Sequence, residues 1–334
     1  MKAVLLTAAG GTDALQIADV DTPNLSHPEF IRVRLHAASI NPVDAKMRSR
    51  GGVAPNKLPI ILGCDGAGVV DAIGEAVTRF KVGDDVYFFN GGIGTAEPGN
   101  YAEYTTLHQD YAALKPKNLS MVEAAALPLA WITAWESLVD RAQLQANQTV
   151  LIHAGTGGVG HVAVQLAKSI GARIAVTVGN QEKADFAQSL GAECCINYTE
   201  TDFVQAVLDW TDGAGVDVVL DTVGGDTFCC SISCTRIYGK IVTLLESTCD
   251  SNTIKTAKLR NLSLIYELML TPMLQGMHEA RVAQRKMLEE ATLMVRDNKL
   301  RPTVSRVLPL THVAEMHQLI EAGNTRGKMV LSIG

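Results

Sequence analysis

Four glycines fall within six positions in Gly155-Thr156-Gly157-Gly158-Val159-Gly160, directly after the apolar run "TVLIHA". Beyond them Val159, Val162, Ala163, Leu166 and Ile170 share one helical face. A bare backbone between strand and helix lets N–H groups approach a pyrophosphate at a helix N-terminus, where the helix dipole favours negative charge. The strand–turn–helix context makes this G-x-G-x-x-G pattern a dinucleotide fingerprint. In that fingerprint an acidic residue roughly 20 positions on binds a ribose 2′-hydroxyl. Here the following strand ends "VTVGNQEK", with Gly179 and Asn180 at the expected positions. No carboxylate stands there to repel a 2′-phosphate, and Lys183, one turn further on, is placed to pair with it. The pattern predicts NADP(H) in preference to NAD(H).

The other reactive side chains are not arranged for chemistry of their own. Seven cysteines lie at 64, 194, 195, 229, 230, 234 and 249 without a C-x-x-C pair, which fits a reduced, cytosolic setting. Cys194 and Cys195 are adjacent in a strand and face opposite sides. Cys229, Cys230 and Cys234 have no partner that completes a tetrahedral set, and they read as buried small hydrophobes. His312 and His317 do not share a helix face, and no G-x-S-x-G elbow or paired carboxylates are present.

The elements that must position these residues follow from periodicity. In the first 120 residues short strands such as "KAVLL", "FIRVRLHA", "GAGVVDAIG" and "GDDVYFF" are broken by Gly, Pro and Asp. From about 120, Ala, Leu and Trp recur at helical spacing, and Pro128 is expected to split that stretch into two helices. From 149, apolar strands alternate with helical segments, the signature of a parallel sheet covered on both faces. The last stretch, with a charged helix at 279–297, a strand "TVSRVLPL", a helix at 311–322 and a strand "KMVLSI", leaves this repeat and is expected to return to the first domain.

The whole chain has 334 residues, of which 47% are hydrophobic and 19% charged, enough for the core of two domains. Its formal charge of -6, with no Lys/Arg cluster, does not suit nucleic acid. "MKAVLLTAAGG" is too short for a signal core, and "AAALPLAWITAW" is too short to span a bilayer, so an unexported protein without a membrane partner is expected.

Several stretches together resemble the medium-chain dehydrogenase/reductases, in their zinc-independent quinone oxidoreductase branch: "SINPVDAKMRSRG" (39–51), "LGCDGAGVV" (62–70), "VGDDVYFF" (82–89), "HAGTGGVG" (153–160), "VGNQEK" (178–183), "INY" (196–198) and "LDTVGG" (220–225). The resemblance covers essentially the whole chain. It implies an α/β fold with a GroES-like β-rich catalytic domain, 1–122 completed by 271–334, and a doubly wound Rossmann domain, 123–270, with NADPH in the cleft between them. Gly179, Lys183 and Tyr198 match residues that surround the 2′-phosphate, and Thr133 matches a threonine near the nicotinamide amide. Asn41 matches an asparagine that faces nicotinamide and substrate, while a bland role opening a helix beside Pro42 stays open. Asp44 is the weaker candidate because its place near a helix start also suits capping.

In the zinc alcohol dehydrogenases of that superfamily the metal ligands lie in elements that here read "NPVD" and "GCD", and the lobe carrying four cysteines is reduced to "NGGIGTAEPGNY". Cys64 with Asp65 does not make a three-ligand set, so no metal is expected. Without a Lewis acid the chemistry that remains is hydride transfer from NADPH to an electron-poor acceptor, a quinone or an α,β-unsaturated carbonyl. A zinc-type alcohol dehydrogenase and a non-catalytic NADPH-binding protein are the alternatives. "NLSLIYELML" (261–270) is an apolar strand suited to a homodimer edge, or to an internal place in the sheet.

Overall fold

Alternation along Phe30–Ile40 buries Ile31, Val33 and Leu35 and leaves the residues between them more open, which makes this the longest strand of the chain. The computed structural model describes residues 1–334, and the chain divides into two units, residues 1–129 with 270–334 and residues 130–269.

The first unit begins with β1 (Lys2–Leu6), β2 (Leu15–Asp19), β3 (Phe30–Ile40), α1 (Pro42–Arg50), β4 (Ile60–Ile61), β5 (Asp65–Ile73), β6 (Asp85–Phe89), β7 (Tyr104–His108), β8 (Ala112–Leu114) and α2 (Met121–Ala125). α2 opens with a capping box in which the Ser120 hydroxyl accepts from Glu123 N–H and the Glu123 carboxylate accepts from Ser120 N–H. Pro128 starts a separate helix, α3 (Pro128–Trp135), as its missing N–H and fixed φ allow only at a first turn.

The second unit runs through β9 (Thr149–Ile152), α4 (Gly160–Ile170), β10 (Arg173–Val178), α5 (Gln181–Leu190), β11 (Cys194–Asn197), α6 (Phe203–Trp210), β12 (Val216–Asp221), α7 (Gly225–Cys234), β13 (Thr235–Thr243), α8 (Ser251–Leu259) and β14 (Ser263–Tyr266). All six strands are parallel in the order β11-β10-β9-β12-β13-β14. The chain leaves β9 in one direction through β10 and β11 and then reverses to β12, so the switch point lies at the carboxyl ends of β9 and β12. Parallel strands buried on both faces need apolar runs, and Val150, Leu151, Ile152, Val218, Val219 and Leu220 are buried.

The chain then returns to the first unit with α9 (Thr271–Leu274), α10 (His278–Arg296), β15 (Val304–Pro309), α11 (Val313–Ala322) and β16 (Lys328–Ser332). β16 pairs antiparallel with β3, Met329 opposite Ile40, which completes a sheet of order β15-β16-β3-β5-β6-β8 with β7 also on β3. α10 fixes the glycine-rich stretch 90–100 through Arg281, which donates to Glu97 and to the Asn90 side chain.

The cysteines depart from the expectation of a fully reduced set of small hydrophobes. Cys229 on α7 is joined to Cys249 in a disulfide with Cα atoms 5.6 Å apart, and Cys230 beside it is exposed. Only Cys64 and Cys234 among the free thiols are buried. No helix is long and apolar enough to cross a membrane.

Candidate active site

In the second unit the glycine stretch forms the turn between β9 and α4. Ala154 takes a left-handed conformation with φ 50°, and its carbonyl accepts from Gly157 N–H at 2.9 Å. A Cβ on Gly160 would stand 2.2 Å from that carbonyl oxygen, and one on Gly155 would stand 2.6 Å from the Val176 side chain on β10. These two glycines are therefore dictated by close approach of backbone and strand. Gly157, Gly158 and Val159 are partly exposed, and α4 begins without a side-chain cap. At the start of α4 the N–H of His161 donates to the Gly157 carbonyl and that of Ala163 to the Val159 carbonyl, both at 3.0 Å, and the partly exposed turn before them fits the pyrophosphate of a dinucleotide.

His153 opens the stretch "HAGTGGVG", but nothing in the sequence assigns it a role. Ser231 donates to the Thr227 carbonyl at 2.6 Å, so its oxygen accepts from His153 Nε2 at 2.9 Å. Nδ1 then accepts from Thr177 Oγ1 at 3.1 Å, and the same oxygen accepts from Ala154 N–H at 3.1 Å. Burial lowers the His153 pKa to about 4, which keeps this bracing ring neutral.

At the ends of β10 and β11 the residues predicted for a 2′-phosphate come together. Asn180 caps α5, its Oδ1 accepting from Lys183 N–H at 2.9 Å. A Cβ on Gly179 would meet the Tyr198 hydroxyl at 3.0 Å, which places the half-exposed phenol over the glycine. Partial burial lowers the Lys183 pKa. Thr133 is buried on α3.

In the first unit the adjacent strands β16, β3 and β5 bring together the start of β16, the residue after β3 and the start of β5. The β3–β16 register, carried one step past Met329 and Ile40, sets Lys328 opposite Asn41. Lys328 donates to Asn41 Oδ1 and to the Ile40 carbonyl, and its Nζ lies 3.6 Å from Asp65. Asn41 Nδ2 donates to Asp65 Oδ2 at 2.9 Å, and Ser39 donates to the same oxygen at 2.5 Å. Asp65 Oδ1 accepts from Leu129 N–H at 2.8 Å. Asp44 Oδ2 accepts from Asn41 N–H at 2.8 Å and from the Tyr101 hydroxyl at 3.0 Å, while Cys64 Sγ lies 3.5 Å from its Oδ1.

Ser39, Asn41, Asp44, Cys64, Asp65, Tyr101 and Lys328 are all buried, and even Lys328 is only 4% exposed. Burial raises the Asp44 pKa to about 7, aided by Asp65, and lowers that of Lys328 against the pull of Asp65 and Asp44. Asp44 thus caps α1 and supports Asn41 from behind, whereas Asn41 keeps one amide N–H uncommitted. Ser39 opens the stretch "SINPVDAKMRSRG" without being marked as a site residue, and Lys328 and Tyr101 carry no sequence signal of a site, since a lysine heading an apolar strand reads as a solvated strand end.

The comparisons with known proteins agree with this architecture. Residues 27–117 match the alcohol dehydrogenase GroES-like domain, and residues 190–331 match the zinc-binding dehydrogenase family. The chain is 32% identical to a quinone oxidoreductase of Pseudomonas aeruginosa over 99% of both chains. It is 31% identical to the NADPH-dependent alkenal/one oxidoreductase of Arabidopsis thaliana over 99% of this chain and 79% of that protein. Among solved structures, the Escherichia coli quinone oxidoreductase complexed with NADPH superposes with a TM-score of 0.88 at 29% identity over 100% of both chains. With a GroES-like β-rich unit and a Rossmann sheet, the chain belongs to the medium-chain dehydrogenase/reductase superfamily. It is an oxidoreductase of that superfamily.

The zinc that the family description implies does not fit the residues present. Burial, with the charges of Asp44 and Asp65, holds the Cys64 thiol well above its ordinary range, so it is no ready thiolate ligand. The Asp65 carboxylate is saturated by three N–H or O–H donors beside the Lys328 ammonium, a cation that repels a second one. No three His, Cys, Asp or Glu side chains converge to hold an ion.

Proposed function

We propose that the protein is an NADPH-dependent reductase of quinones and α,β-unsaturated carbonyls that works without zinc. The observation that carries this reading is the cluster at the ends of β16, β3 and β5. Where a zinc enzyme needs three metal donors, this chain clamps an amide between an ammonium and a carboxylate. Bound NADPH supplies a hydride to the conjugated carbon of the acceptor. The residues have to hold the reactants and stabilise the charge that develops on the acceptor oxygen.

Asn41 gives its free N–H to that oxygen, with Asp44 acting through it as a positioning residue, and solvent supplies the proton. The turn Gly155–Gly160, with Gly157, Gly158 and Val159 partly exposed, receives the pyrophosphate. Gly179, Asn180, Lys183 and Tyr198 surround the 2′-phosphate, and Thr133 holds the nicotinamide amide. Relatives named for quinone and alkenal/one reduction support the acceptor class.

The test follows the loss of reduced-nicotinamide absorbance with NADPH and NADH, an ortho-quinone and a simple enone, with and without chelator. Turnover that prefers NADPH and ignores chelator is expected. Loss of activity with chelator would return the zinc alcohol dehydrogenase reading, and tight NADPH binding with no turnover the non-catalytic one.

A cytoplasmic homodimer completes the proposal. β14 is the edge of its sheet, and Leu264 and Tyr266 on it, Leu268 just beyond it, and Ile237 and Tyr238 on the neighbouring strand β13 are exposed. An uncovered strand edge with apolar side chains suits pairing with a second copy. Light scattering at micromolar concentration is expected to give twice the chain mass.

A further inference from the structure

We infer that Lys328 is a positioning residue for the reduction, its buried ammonium holding the Asn41 amide in the single orientation that presents an N–H to the acceptor oxygen. This rests on the reductase reading of Asn41. An asparagine amide has two nearly isosteric ends, and a flip would exchange its N–H donor for an oxygen acceptor. A carbonyl oxygen gaining negative charge is stabilised by the first and repelled by the second.

The surroundings of Asn41 permit one orientation only. Lys328 Nζ carries donors and no acceptor, so it fixes Oδ1. The Asp65 carboxylate accepts only, so it fixes Nδ2 at 2.9 Å. Reversing the amide would set N–H against ammonium and oxygen against carboxylate at a depth where bulk solvent softens neither contact. Asp65 alone does not suffice, because it is already filled by Ser39, the Leu129 N–H and Asn41. The ammonium also offsets the Asp65 charge, which would otherwise oppose negative charge developing on a nearby acceptor. Lys328 reaches this place because β16 returns from the far end of the sequence to pair with β3 and sets it opposite Asn41.

The experiment is a double-mutant cycle with Asn41→Ala, Lys328→Met and the pair, read as kcat and KM for acceptor and as NADPH binding by fluorescence. Asn41→Ala is expected to lower kcat about 100-fold, as loss of an oxyanion donor does. Lys328→Met is expected to lower it about 10- to 100-fold through misorientation, with the NADPH Kd within about twofold of wild type. The double variant is expected to fall no further than Asn41→Ala, because Lys328 acts through Asn41.

Multiplying losses, or wild-type kcat in folded Lys328→Met, overturn the inference while leaving the reductase reading in place. Wild-type protein inert toward the whole acceptor panel sinks that reading and this inference with it. Should Lys328→Met not fold, Lys328→Gln carries the same cycle, since its amide both donates and accepts and so no longer dictates which end of Asn41 faces it. The side-chain amide protons of Asn41 in wild-type protein give a readout by 15N NMR that needs no variant of Lys328. Slow exchange with solvent and one conformation are expected, and a freely flipping or rapidly exchanging amide overturns the inference.

Discussion

The two units each bury a polar cluster at an end of their main sheet, one charged and one neutral. Beneath the glycine turn of the second unit, His153, Thr177 and Ser231 are satisfied as neutral donors and acceptors, and what they hold is backbone, the Ala154 N–H. At the strand ends of the first unit, Lys328 and Asp65 bring charge into a buried site, and what they hold is a side-chain amide. A neutral network suffices to fix a loop against a strand. Orienting a group whose two ends look alike needs charges of opposite sign on either side of it.

The hardest way to break this contrast is to strand one charge of the first cluster. Asp65→Ala leaves the buried Lys328 ammonium without its counter-charge and Ser39 and the Asn41 amide without their acceptor, and it is expected to destabilise the protein by about 3–5 kcal/mol in urea unfolding. A loss below about 1 kcal/mol would mean that the cluster is not held by its charge. The corresponding backbone test in the second unit is Gly160→Ala, whose Cβ would lie 2.2 Å from the Ala154 oxygen. A cost of about 1–3 kcal/mol with weaker NADPH binding is expected. Gly157→Ala, 3.3 Å from the same atom, should perturb stability far less.

Acidity sharpens the contrast because the clusters respond to pH with opposite sign. The His153 pKa is about 4 in the folded chain against an ordinary 6.5, so the unfolded chain binds more protons between those values and stability falls as pH drops from 6.5 towards 4. His317, also near 4, adds in the same direction. Asp44 lies near 7 in the folded chain against an ordinary 3.8, so its contribution is fully present below 3.8 and is lost as pH rises through 7. Because these windows overlap, the denaturant midpoint should rise less steeply with pH between 4 and 6.5 in His153→Gln than in wild type, and more steeply between 4 and 7 in Asp44→Asn, each change on the order of 1–3 kcal/mol. Unaltered slopes in both variants would show that neither group titrates in this range.

The smallest effect is expected at the surface. Lys183→Ala should raise the KM for NADPH about tenfold and leave that for NADH unchanged, with the NADPH preference shrinking as salt is added. An equal loss with both cofactors would place Lys183 outside the 2′-phosphate contacts.

How much of this is legible in the sequence follows the range of the interactions. Ile31, Val33 and Leu35 announce β3 because alternation is local, and the glycine turn reads out because strand, turn and helix are consecutive. Pro128 marks a helix start for the same reason. Lys328 is silent in sequence because its partner Asn41 lies 287 residues away, and only the β3–β16 register brings them together. His153 follows an apolar strand, where nothing nearby in the chain signals Thr177 or Ser231. The disulfide has no signature because its two cysteines are 20 residues apart, joined through the fold of α7 and the segment after β13 and not by a motif.

The first unit is built from two stretches of chain with the whole of the second between them. During synthesis residues 130–269 emerge together and can fold as a continuous segment before β16 leaves the ribosome. Until then only the end of β3 from Ala37 to Ile40 lacks its partner, and Asn41 and Asp65 wait without their cation. The orientation of the amide is thus completed only once residue 328 has been made, so a nascent chain stalled before it would carry a formed turn at 155–160 and no assembled cluster around Asn41.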